Sequence, residues 1–162
     1  MKDLRAPGAV LGALALAAIV AATAQAHVTA FSATYKGLVT EKVSGQTVTA
    51  TVRGTGTGTP IGKSTITGTV VATTSTDSPC APFRGPGLIT GKSGKLKVTV
   101  VPTSRGCAAG EDDRNNISVS GTVKVSGGTG KYRTAKGKLR FTGHYDRGSG
   151  AFSVKLKGTL SS

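Results

Sequence analysis

The sequence predicts an all-β protein: one domain of seven or eight short strands, closed into a barrel or stacked as a β-sandwich. Three observations predict it. From residue 31 to the end, apolar or small residues alternate with polar ones, which is the period of a strand with one buried face. Glycine, of which there are 24, and proline, of which there are 6, punctuate that pattern at intervals suited to turns. No stretch beyond residue 26 carries a helical period of useful length. Two further features favour the barrel. Each strand has a single apolar face, and small residues recur on it: Ala33, Gly37, Ala50, Gly68, Gly121, Gly143 and Gly158. Inward glycines relieve crowding where a closed sheet bends, and they leave interior room. The absence of Trp weakens an immunoglobulin-like sandwich.

The elements follow in order. Residues 31–39 place Phe31, Ala33, Tyr35, Gly37 and Val39 on one face, and the same parity carried further reaches Glu41. Residues 46–53 turn Val48, Ala50 and Val52 inward and Thr47, Thr49 and Thr51 outward. Residues 54–63, with four glycines and Pro60, read as a flexible connection. Alternation resumes over 64–73 through Ile66, Gly68, Val70 and Ala72. Residues 75–87, holding Pro79, Pro82 and Pro86, read as a long loop, followed by a short strand at 88–90. Residues 95–101 bury Leu96, Val98 and Val100; residues 103–116 read as a second loop with the acidic cluster Glu111-Asp112-Asp113. The cleanest strand spans 117–125, with Ile117, Val119, Gly121, Val123 and Val125 inward. Residues 138–146 bury Leu139, Phe141 and Tyr145; residues 151–160 bury Phe152, Val154, Leu156 and Leu160.

The first 26 of the 162 residues read as a secretory signal peptide: Lys2 and Arg5, a 14-residue apolar run from Ala9 to Ala22, then Ala24-Gln25-Ala26 as an A-x-A cleavage site. The apolar run is shorter than the ~20 residues of a membrane-spanning helix, so no membrane span is expected after cleavage. A cut after Ala24 competes with the cut after Ala26. Residues 27–162 then form the β-barrel domain of a secreted, extracytoplasmic protein. Removing Lys2, Asp3 and Arg5 takes the formal charge from +14 to +13, which favours acidic polymers as partners. Cys80 and Cys107 are the only cysteines, and in an exported chain they are expected to pair. Two free thiols or a metal pair are the alternatives, but two histidines and no further cysteine leave a metal site incomplete, and no metal is expected.

Between the strands at 117–125 and 138–146 runs Gly127-Gly128-Thr129-Gly130-Lys131-Tyr132-Arg133-Thr134-Ala135-Lys136-Gly137. This segment resembles the glycine-turn signature of plant dirigent proteins and the related segment of allene oxide cyclases. The likeness extends loosely over residues 117–160. It implies an eight-stranded antiparallel barrel with an interior pocket, of the kind in which these families steer reactive hydrophobic intermediates without a cofactor. It carries over no catalytic residue; residues 127–130 have a turn role, and Lys131, Arg133 and Lys136 match the family's basic positions only.

The chemistry of the residues is sparse. The expected interior is Phe31, Tyr35, Val48, Leu96, Val98, Val119, Phe141, Tyr145, Phe152 and Val154, a lining for a small hydrophobic ligand. Because several inward positions are Gly or Ala, that interior is underfilled, and either a bound molecule or homo-oligomeric packing over the mouth is expected to close it. Glu41, Tyr35 and Tyr145 are the polar candidates for a catalytic role, Glu41 as a base at a desolvated mouth. The plain alternative is a solvated Glu41 beyond the strand's end. There is no phosphate-loop spacing, no nucleophile elbow and no cysteine nucleophile. His144 falls on an outward position, and His27 meets it in no motif that would build a copper site. Threonine rows at 47–51 and 65–69 express strand propensity. If the last two strands pair, Lys138, Arg140, Lys155 and Lys157 share an outward face; that patch is either a solubilising surface or a site for an acidic polysaccharide or cell-envelope polymer. Nucleic acid is not expected, since no aromatics interleave the cations for stacking. The functional expectation is a ligand-binding barrel, with a cofactor-free cyclase-like or dirigent-like catalyst and a polyanion-binding protein as alternatives.

Overall fold

The computed structural model describes residues 27–110 and 113–162; the signal-like leader and the pair Glu111-Asp112 lie outside the described residues. Eight strands form a closed antiparallel barrel in simple up-and-down order: β1 (Val28–Ser44), β2 (Thr47–Thr59), β3 (Gly62–Thr73), β4 (Cys80–Gly91), β5 (Gly94–Ala108), β6 (Asn116–Gly128), β7 (Lys136–Asp146) and β8 (Ala151–Ser161). Each strand pairs with its sequence neighbours, and β8 returns to β1. No helix of the described residues is long and apolar enough to cross a membrane.

The two-residue alternation is what closes the ring with its apolar face inside. Phe31, Ala33 and Tyr35 on β1, Leu96 and Val98 on β5, Val123 and Val125 on β6, and Leu139 and Phe141 on β7 are all buried. The polar residues between them are exposed. The two ends of the barrel differ. At the base end, the connections fold back into the lumen: Ile61 from the β2–β3 turn and Tyr132 and Ala135 from the β6–β7 connection join the core. The glycine-rich segment is therefore more than a turn. It makes a single 3₁₀ turn (Gly130–Tyr132) and docks on the β4–β5 turn through Thr129 N–H to Lys95 O (2.9 Å) and Lys131 N–H to Ser93 O (2.9 Å). Gly130 (φ 58°) and Gly94 (φ 142°) lie against one another there, in backbone conformations that a side chain disfavours.

Three segments expected as loops are strand. Residues 54–59 continue β2, because Gly54, Gly56 and Gly58 sit on the inward parity and Thr55, Thr57 and Thr59 on the outward one. The glycines make room for large neighbours: a Cβ at Gly54 would stand 2.7 Å from the Phe152 ring, and one at Gly56 would stand 2.6 Å from the Tyr35 ring. Glycine here is sculpted space inside a strand, not flexibility. Residues 80–87 belong to β4 despite Pro82 and Pro86. The β3–β4 ladder lapses between the Gly68–Gly87 and Val71–Arg84 pairs, and Pro86, which has no N–H to donate, falls in that lapse. Residues 103–108 belong to β5, beyond an irregularity at residues 101–103 where its register shifts against both β4 and β6.

Cys80 and Cys107 form a disulfide. They are not in loops, as expected, but are direct cross-strand partners at the start of β4 and the end of β5, with Cα atoms 4.0 Å apart.

Candidate ligand cavity

The mouth half of the barrel is hollow. Inward residues there are short: Ala50 on β2, Gly68 and Ala72 on β3, Ala81 and Gly87 on β4, and Gly106 on β5. Around them stand Val39, Val52, Ile66, Val70, Val100 and Val119, and the space they leave is an apolar cavity of about 210 Å³ opening toward the mouth. Phe83 of β4 and Phe141 of β7 approach across the lumen with ring centroids 6.0 Å apart at 49°, and both line the cavity. Below lies the packed base, where Tyr35, Ile89, Leu96 and Leu139 are fully buried.

The polar groups gather at the rim. Glu41 lies on the inward parity of β1, and its Oε2 is 3.2 Å from Arg147 Nε in the β7–β8 turn. The Glu41 side chain is 18% exposed, so the carboxylate is largely withdrawn from water, and the guanidinium compensates it. Tyr145, two residues before Arg147 and facing the same lumen, completes the group. Burial, followed by the Glu41 charge and a hydrogen bond to that carboxylate, pushes the Tyr145 phenol up to about 12. It therefore stays a neutral donor at ordinary pH. The cavity thus offers an apolar body site with an acceptor carboxylate, a phenol donor and a cation at its entrance.

Seven of the ten expected lining residues meet here: Val48, Val98, Val119, Phe141, Tyr145, Phe152 and Val154. Phe31, Tyr35 and Leu96 are instead part of the packed base. Tyr35 bonds the Ser64 hydroxyl at 2.9 Å, and burial raises its phenol. Glu41 faces the cavity rather than open solvent. Phe83 and Arg147 were not expected. The first was hidden by its prolines, and the second lies in a turn where only its spacing from the inward Tyr145 gives a signal. Lys138, Arg140, Lys155 and Lys157 are exposed on neighbouring strands, with Arg140 directly opposite Lys157. His27 hydrogen-bonds Ser162 at the base, whereas His144 lies toward the mouth on the outer wall. Among the described residues no cluster of three metal-ligating side chains exists. The threonines of β2 and β3 cover one curved outer wall. No family model matches the chain, and no curated protein matches its sequence.

Proposed function

We propose that this protein is an exported barrel that takes up a small, mostly apolar molecule through its mouth. The observation that carries the reading is the 210 Å³ apolar cavity with its polar groups confined to the rim. A dry void of that size would forgo about 5 kcal/mol of contacts at roughly 24 cal/mol per Å³, and a ligand recovers them. Engineered cavities of about 150 Å³ hold benzene, so this one suits a single-ring or short branched hydrocarbon skeleton with one hydrogen-bonding group. The disulfide is consistent with an extracytoplasmic location. The leader-like sequence supports export, and the likeness of the glycine segment to dirigent and allene oxide cyclase barrels supports an interior role. The test is uptake of the single-ring, polarity-sensitive fluorophore dimethylaminobenzonitrile by the parent and by Ala50→Leu. Ala50 lines the cavity directly opposite Glu41. The parent should bind the dye and Ala50→Leu should not, while keeping or gaining thermal stability. Destabilisation by about 1–3 kcal/mol with no dye uptake by the parent would mean a packed core instead.

A second reading, cofactor-free acid–base catalysis in the same cavity, rests on the Glu41 carboxylate facing the apolar space beside the neutral Tyr145 phenol. It requires Glu41→Gln to retain dye uptake while abolishing turnover of any substrate found.

A further inference from the structure

The strand register places six of the basic residues of the outer wall in a line. Lys124 of β6 lies directly opposite Lys138 of β7. Two residues on, Arg140 lies directly opposite Lys157 of β8. Lys155, two residues from Lys157, is opposite Thr34 of β1, and Lys36 stands one step farther along β1. All six are exposed. They form one diagonal stripe across four adjacent strands, with neighbours ~5 Å apart across strands and ~7 Å along them.

Two features make this more than a share of the +14 total charge. Like charges directly opposite one another on a sheet destabilise it, and the stripe contains two such pairs. Moreover, none of the six has a carboxylate partner among the described residues. The described acids of the folded body, Glu41, Asp77, Asp113 and Asp146, all belong to the mouth end. Among the described residues no carboxylate offsets this repulsion, as expected for a surface completed by an external anion. The chemistry around the stripe selects the kind of anion. Ser32, Thr34, Ser120, Thr122, Thr142 and Thr159 interleave it with hydroxyls. Every one of the seven aromatic side chains is buried or half-buried, so no stacking platform for bases exists.

We propose that the β6–β7–β8–β1 wall binds a linear acidic polysaccharide, with its charges along the cation stripe and its hydroxyls on the Ser/Thr rows. The stripe runs along the side of the barrel and leaves the mouth open, so a polymer-bound molecule keeps its cavity accessible.

The experiment compares two variants of equal net charge. One carries Lys138→Ser, Arg140→Ser, Lys155→Ser and Lys157→Ser; the other carries Lys63→Ser, Lys92→Ser, Lys131→Ser and Arg133→Ser at the base end. Binding to polygalacturonate, neutral dextran and an oligothymidine is read across a salt series. The parent should bind polygalacturonate with an affinity that falls steeply with salt, and should not bind dextran. The stripe variant should lose about tenfold or more and show a shallower salt dependence, with the base-end variant close to the parent. Dye uptake should be the same in all three, which separates this surface from the cavity. Equal losses in both variants would reduce the effect to net charge and overturn the proposal. Absence of polygalacturonate binding by the parent, or equally tight oligothymidine binding through the same four residues, would also overturn it.

Discussion

The hydroxyl of Ser104 occupies the space that a side chain at Gly121 would need. A Cβ built on Gly121 would stand 2.8 Å from the Ser104 Cα and closer still to its side chain. Ser104 is completely buried, and its Oγ accepts from Thr122 N–H at 3.3 Å, at the point where the β5 register shifts. The glycine and the serine are thus two halves of one repair of the strand irregularity.

Gly121→Ala should therefore destabilise by at least about 1–3 kcal/mol, through overpacking against a backbone that cannot yield. Ser104→Ala should cost about 1–2 kcal/mol by stripping the half-buried Thr122 N–H of its acceptor. Denaturant unfolding of the two single variants and the double variant checks both numbers and their coupling.

The two base tyrosines should respond with opposite signs. Tyr132 buries a hydroxyl that has no hydrogen-bond partner among the described residues, so Tyr132→Phe should stabilise by about 1 kcal/mol. Tyr35→Phe removes the shorter of the two hydrogen bonds of the buried Ser64 hydroxyl, leaving only its 3.4 Å bond to Gly62 O, and should cost about 1 kcal/mol. Thermal melts that moved both variants the same way would contradict the assignment.

Alkaline pH should loosen the mouth. The Tyr145 phenol titrates near 10 when unfolded and at about 12 in the barrel. Its folded form holds the proton more tightly, so its contribution to stability is complete below pH 10 and fades as pH rises toward 12. Tyr35 and Tyr132, also raised by burial, act in the same direction. The check is a difference between variant and parent. Between pH 10 and 12, Tyr145→Phe should lose less unfolding free energy than the parent.

Replacing both Cys80 and Cys107 with Ala should cost about 3.5 kcal/mol on the chain-entropy estimate for a loop with a sequence separation of 27. The loss should concentrate at the mouth ends of β4 and β5, where hydrogen exchange should accelerate first. The unfolded, unreduced parent should show no free thiol.

What the sequence made legible was the periodicity. Wherever large apolar residues alternate with polar ones, as from Ile117 to Val125, the strand and its facing were readable, and the all-β class and most of the lining followed. The failures share a physical cause. At Gly54, Gly56 and Gly58 the inward side chain is absent because Phe152, Tyr35 and Ala33 respectively come from elsewhere to fill its place, and an empty position looks the same as a loop. At Pro82 and Pro86 local chemistry argued against a strand, but Pro86 falls in a lapse of the β3–β4 ladder and Pro82 lies beyond its last pair, Ala72–Phe83. Phe83 was lost with that segment. The base plug of Ile61, Tyr132 and Ala135 was unreadable because these residues lie in connections and turn inward only once the ring exists. Glu41 was correctly placed by parity. Its partner Arg147 required knowing how the β7–β8 turn folds over the mouth.

The β1–β8 pairing joins the first and last strands, and at its end His27 and Ser162 exchange two backbone hydrogen bonds, 3.1 and 3.2 Å. Every other ladder links sequence neighbours through a connection of a few residues, so this seam alone spans nearly the full length of the folded chain. The entropy of ring closure is concentrated there. With that seam unpaired, β1 and β8 would each be an open edge beside an apolar face, an arrangement prone to pair with another copy. After it zips, no edge is left. Whatever strengthens the hydrogen bonds from Val28–Ser161 to Leu38–Ala151 therefore acts as a clasp, separating a sticky open sheet from a closed ring of strands.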